Sequence, residues 1–190
     1  MRTPFTQKPS TRIANSSDAA EIAAIYAPFV RDTAISFEAD PPTEDEIARR
    51  IADLQPQYPW FVACDEGRVC GYAYGSPHRN RAAYRWSVDV SVYVGQSSQR
   101  RGVGRCLYEL LITTLRDQGY YTAYAGITLP NAASVGLHES LGFQPLCVYP
   151  RVGYKNGAWH DVGWWSLQLQ LQSAYDTPAE PKPLSETFRL

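Results

Sequence analysis

The chain has 190 residues, 44% hydrophobic and 19% charged, which suits one ordinary domain and excludes a disordered or collagen-like polymer. A formal net charge of −1 offers no basic excess for nucleic acid or a membrane surface, and neither partner is expected. Cys64, Cys70, Cys106 and Cys147 lie far apart without a C-x-x-C pair, and no apolar run approaches the ~18 residues of a membrane helix; the expectation is a cytoplasmic protein with reduced thiols and no metal.

Residues 1–11 and 173–190 are rich in Pro, Thr, Ser and charge, and read as an N-terminal tail and a flexible C-terminal tail around a domain spanning 12–172. Arg12 to Ala14 opens a short strand. Asp18-x-x-Glu21 then has the form of a capping box for a helix burying Ile22, Ile25, Tyr26 and Phe29. Thr43-x-x-Glu46 repeats that signal before a helix with Ile47, Ile51 and Leu54 on one face. Trp60 to Cys64 and Val69 to Tyr74 are β-prone runs joined by Asp65-Glu66-Gly67-Arg68, a hairpin signal.

Ser87 to Val94 alternates strictly, with Val88, Val90, Val92 and Val94 on one face and Ser87, Asp89, Ser91 and Tyr93 on the other. A helix follows from Val103 to Gln118, striped by Leu107, Leu110, Leu111 and Leu115 and stopped by Gly119. Tyr121 to Thr128 reads as a strand and Asn131 to Leu141 as a short helix closed by Gly142. Strands around 146–154 and 162–171 complete the order. Helices interspersed among strands, with hairpins at both ends, predict an α/β layer on a mixed sheet.

The chemistry concentrates at Gln99-Arg100-Arg101-Gly102-Val103-Gly104-Arg105, between the half-polar strand and the leucine-striped helix. Gly102 and Gly104 let backbone approach a ligand closely, and the free N–H groups of the helix start favour a phosphate. Arg100, Arg101 and Arg105 add positive charge. The bland alternative is a glycine-rich turn with solvated arginines. A P-loop is excluded because no Gly-Lys-Ser/Thr follows, and a dinucleotide fingerprint because Leu107 stands at its third glycine.

What remains, Gln/Arg-x-x-Gly-x-Gly/Ala after an apolar strand, resembles the pyrophosphate motif of the GNAT acetyltransferases. The resemblance extends to Leu129-Pro130-Asn131, to Asn131-Ala132-Ala133-Ser134 and to Leu141-Gly142-Phe143, and the order of elements matches from Arg12 to Leu171. A narrower likeness, to phosphinothricin and methionine sulfoximine acetyltransferases and their arsinothricin-acting neighbours, is carried by Ser36-Phe37-Glu38, Tyr58-Pro59-Trp60, Arg81-Ala82-Ala83-Tyr84-Arg85-Trp86, Ser91-Val92-Tyr93-Val94 and the run from Gly153 to Gly163.

The resemblance implies a single-domain GNAT fold, a mixed central β-sheet flanked by helices, using acetyl-CoA as co-substrate and a small amino acid as acceptor. By the same likeness Val92, Tyr93 and Val94 hold the acetyl-pantetheine arm; Gln99, Arg100, Arg101, Gly102, Val103, Gly104 and Arg105 hold the diphosphate; Asn131 and Ser134 meet the cofactor at the next helix. Asp89 is the candidate base, where similar enzymes carry a glutamate one methylene longer, and a structural carboxylate is its alternative. His138 stands where many GNAT enzymes have a tyrosine, and serves as acid or base or as a structural residue. Phe37, Arg81, Tyr84, Tyr93, Lys155 and Trp159 are candidates for substrate contact, with core or interface packing as the alternative for the aromatics. Arg85 and Arg151 are further cations near those segments, while Cys106 reads as a buried thiol. The aromatic segment from Tyr149 to Trp165 suggests a homodimer. Competing functions are acetylation of another amine, such as a polyamine or a protein N-terminus, and a silent acyl-CoA-binding module.

Overall fold

The computed structural model describes residues 9–171 and 177–188. Its strands are β1 (Ser10–Ile13), β2 (Trp60–Asp65), β3 (Arg68–Pro77), β4 (Ser87–Val94), β5 (Thr122–Leu129), β6 (Gln144–Lys155) and β7 (Ala158–Gln168). Its helices are α1 (Ala19–Asp32), α2 (Glu44–Leu54), α3 (Val103–Gln118), α4 (Ala132–Ser140) and the single turn α5 (Leu184–Thr187). The strands form one seven-stranded sheet in the order β1-β2-β3-β4-β5-β7-β6. Neighbours run antiparallel except β4 and β5, which are parallel. This is the mixed α/β sheet expected from the sequence.

Local chemistry explains the turns. Glu66 and Gly67, both left-handed at φ 51° and 81°, link the paired residues Asp65 and Arg68, the two-residue turn whose twist suits a hairpin. Asn156 and Gly157 repeat it between β6 and β7, at φ 51° and 78°. Helix α3 lies between two left-handed glycines, Gly102 and Gly119, and the N–H of Gly119 closes the last turn on the carbonyls of Arg116 and Leu115.

The sheet is covered on both faces. Alternation along β4 sends Val88 and Val90 into a core with α3, where Leu107, Leu111 and Leu115 are fully buried. The opposite face of β2 and β3 packs Trp60, Val62 and Tyr72 against Ile22, Tyr26 and Val30 of α1 and Ile47 and Ile51 of α2. The polar residues of β4 therefore look toward the α1/α2 side.

Three expectations change. Asp18 does not cap α1 with its side chain: it accepts two bonds from Arg12 (2.6 and 2.7 Å) and one from the Asn15 N–H (2.9 Å). Asn15 forms the capping box one turn earlier, and Glu21 instead accepts the Val69 N–H at 2.9 Å. At Thr43 the hydroxyl does cap, taking the Glu46 N–H at 3.2 Å. Second, residues 177–188 of the expected C-terminal tail are docked. The fully buried Gln118 donates to the carbonyls of Gln57 (2.7 Å) and Lys182 (2.9 Å), and its own carbonyl accepts the Lys182 N–H at 2.7 Å. Leu184 is buried, and the Phe188 ring lies 5.2 Å from that of Phe61. The N-terminal tail likewise yields Ser10 to β1; residues 1–8, 172–176 and 189–190 lie outside the described residues.

This docking predicts that Leu184→Ala lowers unfolding free energy by about 2 kcal/mol, the low end for a buried leucine because α5 is a single turn. Urea unfolding measures it, and a change under about 0.5 kcal/mol would mean that the segment docks without stabilising the domain.

Candidate active site

The parallel pairing of β4 with β5 covers only Ser87↔Thr122, Val88↔Ala123 and Asp89↔Tyr124. Beyond that point β4 pairs with β3 alone, as far as Val94↔Gly71, and β5 with β7 alone, as far as Leu129↔Asp161. The two strands thus fork at Asp89 and Tyr124. The inner edge of β4 from Val90 to Val94 has no strand partner there, so its backbone groups are available to a ligand. The cleft is lined by 90–93 on one arm and 125–128 on the other, with Tyr108, Asn131, Ser134 and His138 below and Ile35 at the rim. Gly104 lets α3 approach α4: a Cβ there would stand 3.2 Å from Leu137 and 3.6 Å from Val94.

At the end of β4 the chain turns into α3. Gln99 donates to the Val94 carbonyl at 3.3 Å, and Arg100 and Gly102 are left-handed at φ 60° and 84°. The first intrahelical bond runs from the Cys106 N–H to the Gly102 carbonyl at 3.0 Å, and no side chain caps the helix start. The N–H groups of Val103, Gly104 and Arg105 therefore have no intrahelical acceptor and carry the positive end of the helix dipole. A Cβ at Gly102 would meet no atom within 4 Å, so the approach to these donors is open. The side chains are arranged less uniformly than expected: Arg100 is exposed, Arg101 turns to Asp65 (3.6 Å), and Arg105 bonds Ser140 (2.6 Å). Asn131 caps α4 by accepting the Ser134 N–H at 3.1 Å, directly after the cis Leu129–Pro130 bond.

Asp89 sits at the apex of the fork, half-buried, its Oδ1 2.6 Å from Nδ1 of His78. Burial raises its pKa, and the His78 bond with the nearby charges of His78 and Arg79 offsets this only in part. Sequence reading missed His78. The register explains its place: Ser76 pairs with Asp89, and His78, two residues on, returns to the same face. Its ring stacks on Tyr124 at 4.3 Å between centroids, and Trp164 and Tyr84 meet it edge-on with centroids 6.2 Å away.

His138 is buried. Its Nδ1 is 2.8 Å from the Ser134 carbonyl and so carries the proton, while Nε2 accepts from the Tyr108 hydroxyl at 3.1 Å. Burial lowers its pKa against the opposing pull of the Ser134 carbonyl, favouring the neutral ring. Tyr108 was also missed, because on the leucine-striped helix it reads as one more apolar residue.

The expected substrate contacts divide. Lys155, half-buried, directs its ammonium at the carbonyls of Val30 (2.5 Å), Ser36 (2.7 Å) and Glu38 (2.8 Å), so its three donors are consumed and it pins the loop after α1. Phe37 lies against Gly153, where any Cβ would clash at 2.2 Å. Tyr93 packs its ring among Tyr26, Phe29 and Tyr72. Tyr84 joins the His78 group, and Arg81, exposed, precedes the single turn that carries Tyr84. Trp159 is 60% exposed on the β6–β7 hairpin against Tyr154, and the structure does not bring it to the Asp89 group. Arg85 is paired with Glu180 and stacked on Trp86, and the Arg151 N–H bonds Asp161. The cation that sequence reading overlooked is Arg79, 5.7 Å above the Trp164 ring.

Residues 11–164 match the family model described as an acetyltransferase (GNAT) domain. The chain belongs to the GNAT acetyltransferase family. Within that family it is 38% identical over 183 residues to a phosphinothricin N-acetyltransferase of Streptomyces viridochromogenes, covering 96% of this chain and 94% of that protein. It is 37% identical to an L-methionine sulfoximine/L-methionine sulfone acetyltransferase of Salmonella typhimurium, covering 87% and 97% of the two. A GNAT superfamily phosphinothricin acetyltransferase from Sinorhizobium meliloti, solved in complex with AcCoA, superposes with a TM-score of 0.86 at 32% identity, over 92% of this chain and 95% of that one. Among the described residues of this GNAT domain, no group of three or more His, Cys, Asp or Glu could hold a metal, and no helix is long and apolar enough to cross a membrane.

His138 gives a pH prediction. Its folded pKa lies below the ordinary 6.5, so the unfolded chain binds the extra proton, and stability present above 6.5 is lost as pH falls through 6.5 toward the folded value. Urea midpoints should drop between about pH 7.5 and about pH 5.5, and drop less in His138→Gln. Equal drops in the two proteins would remove His138 from this account.

Proposed function

We propose that this GNAT chain transfers the acetyl group of acetyl-CoA to the primary amine of a small anionic amino acid of the phosphinothricin, methionine sulfoximine or arsinothricin type, in a detoxification or resistance role. The observation that carries this is the fork: an unpaired β4 edge leading directly into an uncapped helix start. The relatives named above support the choice of acceptor. Arg79, beside the aromatic group at Asp89, and the exposed Arg81 at the start of the turn that carries Tyr84 favour an anionic acceptor over a polyamine.

In this reading the N–H groups of Val103, Gly104 and Arg105, with Gln99, Arg100 and Gly102, take the diphosphate, and the backbone of Val92 to Val94 takes the pantetheine arm and polarises the thioester carbonyl. Asn131 and Ser134 border that arm. Asp89 serves removal of a proton from the ammonium, and the Tyr108–His138 pair serves the departing thiolate. Phe37, Tyr84 and Tyr93 bound the acceptor. Acetyl-CoA as substrate makes the cytoplasm the working compartment.

The reading includes a homodimer. Along β6, Leu146, Val148, Tyr149, Val152 and Tyr154 are all exposed, and Trp159 extends the apolar surface onto β7. A strand edge this apolar calls for a partner, and a second copy supplies one. Sedimentation at micromolar concentration should give the mass of two chains, and Val148→Lys should give one; a monomeric parent would overturn this assignment alone.

The activity is tested with purified chain, acetyl-CoA and a panel of phosphinothricin, methionine sulfoximine, arsinothricin, standard amino acids and polyamines, following thiol release. Release is expected with the first three. Release with polyamines alone would redirect the acceptor assignment, and no release with any amine despite acetyl-CoA binding would mark a silent binding module. Gly102→Val should weaken acetyl-CoA binding at least ~10-fold, since a β-branched residue resists the left-handed φ of 84° that aims the helix start. Unchanged affinity in a folded variant would move the diphosphate elsewhere.

A further inference from the structure

We propose that His78, oriented by Asp89, is the base that takes the proton from the acceptor amine. The inference rests on the acetyl-transfer reading and replaces Asp89 as the group that meets the amine.

The chain holds three histidines, and two of them are committed. His138 has a partner on each nitrogen, the Ser134 carbonyl and the Tyr108 hydroxyl. His160 uses Nε2 on the Lys155 carbonyl at 3.0 Å. His78 meets Asp89 through Nδ1 at 2.6 Å, and among the described residues Nε2 has no hydrogen-bond partner. A carboxylate on Nδ1 fixes the proton there, so the lone pair of the neutral ring is on Nε2. The same bond holds the Asp89 carboxylate against the ring, so that it fixes the Nδ1 proton and leaves Nε2 as the ring's free acceptor.

The ring is also held. Tyr124 stacks on it at an interplanar angle of 19°, and Trp164 and Tyr84 meet it edge-on at 84° and 76°. Three aromatic contacts and a short hydrogen bond leave it one orientation, which a base needs for proton transfer. The groups facing it are Asp89, Tyr84 and Tyr124, with Arg79 beside them over Trp164. Its position follows from the sheet: Asp89 and Tyr124 are the last paired residues before β4 and β5 part, so the dyad stands where the cleft opens.

The ammonium gives one proton to Nε2, and the freed lone pair attacks the thioester carbonyl carbon, forming the C–N bond. The C–S bond breaks, the second amine proton goes to the departing thiolate as thiol, and the proton on Nε2 leaves to water.

His78→Phe keeps a ring to stack on Tyr124 and removes both nitrogens; His78→Gln keeps a donor for Asp89 and carries the test if the Phe variant does not fold. With acetyl-CoA and phosphinothricin followed by thiol release, kcat/KM should fall about 100-fold or more near pH 7, with acetyl-CoA Kd within about twofold of the parent. The loss should shrink toward about pH 9.5 as free amine accumulates, and imidazole should restore part of the rate in His78→Ala. A loss under about tenfold near pH 7, a loss that does not shrink at higher pH, or a matching loss of acetyl-CoA affinity overturns the assignment. A parent protein that releases no thiol with any acceptor would instead overturn the acetyl-transfer reading beneath it.

Discussion

The ladder between β4 and β5 ends after three pairs, and the function described here depends on that ending. Had the parallel pairing continued, the backbone groups from Val90 to Val94 that point away from β3 would be satisfied by β5, and the sheet would offer no edge in its interior. A buried polar backbone group must find a partner, so a fork in the middle of a sheet creates a demand that a ligand can meet. The same strand then delivers the chain to Gly102, whose left-handed backbone starts α3 without a side-chain cap. One strand thus provides an open edge and, a few residues on, an open helix end.

Around the fork, the fold is tightened by cations that face inward. Lys155 bonds three carbonyls of the segment from Val30 to Glu38, and Arg50 pairs both oxygens of Glu38 while Tyr26 donates to the same carboxylate. Burial pushes the Glu38 carboxyl up, but the hydrogen bonds from Arg50 and Tyr26 and the Arg50 charge together hold it below its usual range. The loop between α1 and α2, which carries Ile35 to the cleft rim and Phe37 onto Gly153, is therefore fastened from the β6–β7 hairpin and from α2 together. This also accounts for the motif around Ser36-Phe37-Glu38: the three residues form a brace, with only the Phe37 ring presented outward.

What was legible in the sequence was local. The valine alternation of Ser87–Val94 gave strand and face together, because a period of two leaves one reading. Helix α3 was readable between Gly102 and Gly119, and the Glu66-Gly67 turn followed from its residue types. What was hidden needed long-range geometry. The carbonyls that capture Lys155 lie 117 to 125 positions away, and the pairing of His78 with Asp89 depends on a register that no periodicity specifies. Asp18 misled because Asn15 offered a competing cap three residues earlier. Residues 177–188 looked like a tail because their anchor is the amide of Gln118, the last of several polar residues on a helix that is read by its leucine stripe.

Hydrogen–deuterium exchange of the full chain, with and without acetyl-CoA, reads the backbone groups on which the site is built. Acetyl-CoA should slow exchange at the amides of Val90 to Val94 and of Gln99 to Arg105, while the distant β1–β2 pair stays unchanged. Protection confined to other segments, with both stretches exchanging as in the free protein, would contradict the fork and helix start as the binding site.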